Sequence, residues 1–153
     1  MPDWGRGAKA GLLSGAVYGV LNGLIALDVI TVRSAEITAQ LRSTLPSGFQ
    51  IDPARLVEFM KTMAVPGSII SGIIFGTILG LVFSAVYGKI PSKSPEVKGV
   101  IAALAFWIIM TVIGGGGEVS FLPFGAMVAI VFGVLLGDLY ERFGRRKAVV
   151  TEI

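Results

Sequence analysis

The amino-acid sequence predicts an all-α integral membrane protein of four transmembrane helices, with glycine-rich packing grooves and an interfacial amphipathic segment between spans one and two. Three observations carry this expectation. Apolar residues fill 54% of the 153 positions and charged ones 15%, with a mean hydropathy of +0.81, too oily for a water-soluble domain. Four apolar runs approach the roughly 20 residues that a helix needs to cross about 30 Å of hydrocarbon. These runs also lack the polar stripe that the helices of a water-soluble bundle would carry.

The spans are expected at about 10–30, 65–87, 99–117 and 121–140, within a single membrane domain 1–153. Span one is interrupted only by Ser14, Tyr18, Asn22 and Asp28, and it is too long for a cleaved secretory signal. Span three is short from Gly99 to Ile113, so Gly114 to Gly117 must complete the crossing or lie near an interface. Residues 31–64 form an outer loop expected to lie flat on the membrane. Within it Ile37, Leu41 and Leu45 recur every fourth residue before Pro46-Ser47-Gly48 breaks the run. Asp52 then reads as an N-cap with Pro53 at N1, opening a helix with Leu56, Val57, Met60 and Met63 on one face. This segment reads as a connector resting on lipid, or else as a lid or docking surface. Nine of the 13 basic residues, from Arg6 and Lys9 through Lys89, Lys93 and Lys98 to Arg142, Arg145, Arg146 and Lys147, flank one side of these spans. Basic flanks stay inside, so a multi-pass protein of the cell membrane is expected with both termini and the tail 141–153 cytoplasmic.

Small residues recur at four-residue steps. Gly7, Gly11, Gly15, Gly19 and Gly23 mark span one; Ser68, Gly72, Gly76, Gly80, Ser84 and Gly88 mark span two; Gly125, Ala129, Gly133 and Gly137 mark span four. In lipid, helices are held by close approach over such residues rather than by the hydrophobic effect. A four-residue step overshoots one turn by about 40°, so each groove winds round its helix. The long groove of span one is therefore expected to meet two neighbours in turn. Residues 14–25, 71–82 and 128–139 also align at offsets of 57, with five of twelve positions identical in each successive pair. Duplication would explain this, and so would convergence under one packing rule.

The absence of Cys and His removes thiol nucleophiles, disulfides, imidazole bases and Cys/His metal sites. No catalytic set, metal site or cofactor is expected, and the charge fits anionic lipid better than nucleic acid. Gly114 to Gly117 with Glu118 lacks the Lys-Ser/Thr of a phosphate loop and reads as a link. Asn and Gln number only three, a depletion known in thermophiles. Among intramembrane polar groups Asp28 and Asp138 lie near opposite interfaces, and Asp138 is placed to pair with Arg142 one turn later. Asn22, the sole Asn, sits near mid-span where an amide needs a partner. It is either a polar pin between helices or a contact on a solute path. Ser14, Ser71, Thr77, Ser84 and Thr111 are expected to bond carbonyls one turn back. These features predict a non-enzymatic packing or assembly subunit that partners the bilayer and either itself or another membrane protein. The alternative is a small channel or transporter for an ion or polar solute.

Overall fold

The computed structural model describes residues 2–46, 51–113 and 122–151. Among them are five helices: α1 (Trp4–Val32), α2 (Ser34–Thr44), α3 (Pro53–Val86), α4 (Pro95–Ile113) and α5 (Leu122–Thr151). Four are long and apolar enough to cross a membrane: α1, α3, α4 and the Pro123–Gly144 part of α5. Four such helices are consistent with a multi-pass membrane protein.

Helix ends follow caps rather than hydropathy. The Asp3 carboxylate accepts from the Arg6 amide at 3.1 Å, so α1 begins six residues before the apolar run. Asp52 accepts from the Ala54 amide at 3.0 Å with Pro53 at N1, as its spacing predicts. The helix it opens does not stop at the membrane edge. It continues through Pro66 as one 34-residue element, so the interfacial segment expected before residue 65 is the first part of α3 itself. No breaker stands between Pro53 and Pro66, and one missing amide donor is tolerated in a helix supported by neighbours. At about 1.5 Å per residue α3 exceeds the hydrocarbon thickness, so it projects beyond it or tilts. Only the short α2, with Ile37, Leu41 and Leu45 half-buried and no fully buried residue, stands apart between α1 and α3. At the other end α5 carries the tail onward as helix to Thr151.

The most extensive packing joins α1 to α3, antiparallel. Gly7 abuts Gly80, Gly11 abuts Gly76, Gly15 abuts Gly72, Gly19 abuts Ser68 and Gly23 abuts Ala64, each pair adding to 87. The five glycines of the α1 stripe, Gly7 to Gly23, therefore meet one helix, not two in turn. The expectation of two neighbours treated the partner as straight; two stripes with the same four-residue step can coil round one another and stay in register. A Cβ on Gly76 would lie 2.6 Å from the Gly15 Cα, and one on Gly11 2.9 Å from the Gly80 Cα, so any side chain here forces the backbones apart.

A second antiparallel pair joins α4 to α5. A Cβ on Gly133 would lie 2.6 Å from the Val100 Cα, one on Gly137 2.8 Å from the Glu96 Cα, and one on Gly99 2.8 Å from the Gly137 amide nitrogen. Contacts between α1 and α5 join the two pairs, whereas α3 and α4 touch only slightly. The core lies toward the end that carries both termini, here the terminal end. Ala10, Leu79, Phe83, Ala103, Phe132, Leu136 and Tyr140 meet there, with Phe83 and Leu136 fully enclosed.

Candidate functional site: a cleft between α3 and α4

Because α4 packs on α5 and α5 on α1, nothing among the described residues closes the space between α3 and α4 toward the α2 end. A cavity of about 590 Å³ results. From α1 it is lined by Tyr18, Asn22, Ala26 and Ile30, a four-residue stripe that borders the glycine seam. The α3 wall alternates bulky Phe59, Met60, Met63 and Phe75 with small Gly67, Ser68, Ser71 and Gly72. Phe106, Trp107 and Met110 form the α4 wall, and the core residues Leu79, Ala103 and Phe132 lie toward the terminal end. Apart from the Tyr18 phenol, no lining residue among the described residues is ionisable.

The polar groups of this cleft share one property. The Tyr18 hydroxyl, the Asn22 amide and the Ser68 and Ser71 hydroxyls each hold no hydrogen bond among the described residues. Tyr18 meets Phe132 edge-on, with ring centroids 5.7 Å apart, and its oxygen is left over. None of these residues is fully buried: Asn22 and Ser71 are exposed, and Tyr18 and Ser68 are half-buried. Where polar groups do face the packed interior they are satisfied. Ser14 and Thr77 donate to the Ala10 and Ile73 carbonyls at 2.7 Å, while Ser84 turns to the Tyr140 hydroxyl at 3.4 Å instead of the carbonyl one turn back. Ser71, expected to back-bond, does not. The Ser68 and Ser71 pair and the Trp107 wall are site residues that sequence reasoning missed; the step from Tyr18 to Asn22 beside the glycine stripe was the available signal.

Asp28 and Asp138 do not join the site. Asp28 is exposed near the α2 end of α1, and Arg142 Nε lies 2.9 Å from the Asp138 carboxylate at the terminal end. The Gly114 to Glu118 run lies outside the described residues.

The terminal end is closed by a polar and aromatic cluster that ties all four long helices. The Arg6 guanidinium lies 4.0 Å from the Tyr140 ring centroid, donates to the Tyr140 carbonyl and pairs with Glu141 at 3.3 Å. Tyr87 donates its hydroxyl to the same carboxylate at 3.2 Å. Lys98 Nζ lies 4.1 Å from the Tyr87 ring centroid and donates to the Tyr87 carbonyl at 3.0 Å. A Cβ on Gly144 would strike the Arg6 guanidinium, so glycine there makes room for it.

An all-helical protein with four helices of membrane-crossing length and an apolar cleft between α3 and α4 is the class that fold and site define. Residues 6–151 match the model of a family described as a family of unknown function (DUF6789), and the chain belongs to that family. No curated protein and no solved structure matches it.

Proposed function

We propose that this protein is a non-enzymatic binder or carrier that admits a small amphiphilic molecule from the surrounding lipid through the gap between α3 and α4. The observation that carries this reading is the unpartnered Asn22 amide lining an apolar cavity in the middle of a membrane-length helix. An amide in hydrocarbon is retained against its desolvation cost when a partner is available to it, and here no described protein group is that partner. The mostly apolar lining with a few convergent polar groups, and the volume, fit a ligand site better than an ion path. The assembly role suggested by the glycines draws on faces that α1 uses on α3 and α4 on α5, so its remaining support is the cleft as a seat for another chain. We place both termini on the cytoplasmic side, on the distribution of basic residues.

Photolabelling tests the binding role. In phosphatidylcholine nanodiscs, a diazirine-bearing hexadecanol should mark Met63 and Trp107, and excess plain hexadecanol should suppress that labelling. Adducts on the exposed, non-lining Ile74 and Ile78 should persist. Parallel behaviour at both places would refute a specific site. Because the chain has no Cys, single cysteines report orientation: Ser43→Cys should react from outside intact cells, and Lys93→Cys only after the inner face is opened. The reverse pattern inverts the topology.

A further inference from the structure

We infer that the cleft takes a neutral prenyl quinone, an assignment that rests on the binding role proposed above. Four features of the site select this chemistry. No acid or base among the described residues lines the cavity, so an ionic head would enter without a counter-charge from them, at a desolvation cost that apolar walls do not offset. Each unpartnered polar group has a proton to donate: the Tyr18, Ser68 and Ser71 hydroxyls and the Asn22 amide NH2. A guest whose polar atoms are carbonyl oxygens complements that set.

Depth is the third feature. Tyr18 and Asn22 lie near the middle of α1 (Trp4–Val32), and the α1/α3 register places Ser68 and Ser71 beside the same turns. A headgroup lipid keeps its polar part at the surface, whereas a guest dissolved in the hydrocarbon core presents its carbonyls at mid-depth. Finally, Phe75, Phe106, Trp107 and Phe132 bring aromatic rings to the lining, and aromatic rings gain from offset or edge-on contact with a planar guest beyond their buried area. A cavity of about 590 Å³ holds such a ring with the first part of a tail, and the gap between α3 and α4 lets the remainder pass into lipid.

The test uses Trp107 as reporter in the full chain carrying Trp4→Phe, which removes the second of two tryptophans at a position outside the cleft. Decylubiquinone titrated into phosphatidylcholine nanodiscs should quench Trp107 with saturation. Asn22→Leu should weaken the apparent affinity roughly tenfold, the loss of about one hydrogen bond; Tyr18→Phe should act in the same direction and serves if the first variant does not fold. Decylubiquinone should also protect Met63 from the hexadecanol photolabel, while diolein at equal mole fraction should not. Quenching that rises linearly, unchanged affinity in the variants, or equal protection by diolein would overturn the quinone assignment. If hexadecanol suppresses its own label but decylubiquinone does not, the quinone falls and the cleft reading stands. If self-suppression is also absent, both fall.

Discussion

At the terminal end α1, α3, α4 and α5 converge on Phe83, Leu136 and Tyr140, and every buried polar side-chain atom among the described residues there has a partner. Toward the α2 end α4 leaves α3, and side chains of the same kinds, Phe59, Phe75, Phe106, Tyr18 and Ser71, line open space with their polar atoms unbonded. Composition does not separate the two regions. What separates them is the pairing order, because α3 is held by α1 and α4 by α5, and only the core near the termini bridges both pairs. Residue types thus set what a surface can bind, while the distance between helices decides whether it binds its neighbour or a guest.

Substitutions matched across the two regions can break this contrast. The largest effect is expected from Phe83→Ala, which opens a void in a fully enclosed site and should cost about 3 to 5 kcal/mol. Phe75→Ala in the cleft wall, where the ring is 49% exposed, should cost well under half as much by thermal unfolding in detergent. Comparable losses at both positions would mean that the cleft is closed in the membrane.

Next in size is Gly76→Leu, whose side chain must displace the Gly11 and Gly15 backbone; overpacking of this kind costs about 1 to 3 kcal/mol. Gly67→Leu makes the opposite comparison, since a Cβ there meets nothing within 4 Å. It should leave the melting temperature nearly unchanged and abolish suppressible photolabelling by filling the cavity. A strong loss of stability at Gly67 would show that the space is not free.

Arg6→Gln should cost about 1 kcal/mol, because it removes both the ion pair to Glu141 and the face contact with Tyr140 in a half-enclosed setting. Arg142→Gln, whose side chain is 71% exposed, should be close to silent. The stability effect of Asn22→Leu is also small, expected within about 0.5 kcal/mol because no described protein partner is orphaned. A loss of 2 kcal/mol or more would make Asn22 a structural pin after all.

Much of the helical content was legible because it depends on local terms. Apolar runs mark the crossings, the Asp52-Pro53 pair marks a helix start, and Asp138 with Arg142 marks an ion pair one turn apart. The seam partner of α1 was not legible, since Gly7 to Gly23 carry no label saying that one coiling partner will follow them. Pro66 hid the continuity of α3, because a proline that ends a helix in water can be carried within one supported by neighbours. The cleft was hidden for a different reason. A cavity is set by the separation of α3 and α4, and the sequence contains only the residues that line it, so Ser71 looked like any serine that bonds back to its own helix.

The pairing order also has a consequence for biosynthesis. The seam of α1 with α3 is complete once residue 86 has been made, before α4 or α5 exists, and the second pair then forms from the remaining chain. Each pair holds its own backbone contacts and so is competent to enter the bilayer as a unit, with the α1 face that meets α5 left for the second pair to cover. Cutting the chain in the link that joins α3 to α4 should therefore leave two separately inserted halves that find each other in the membrane.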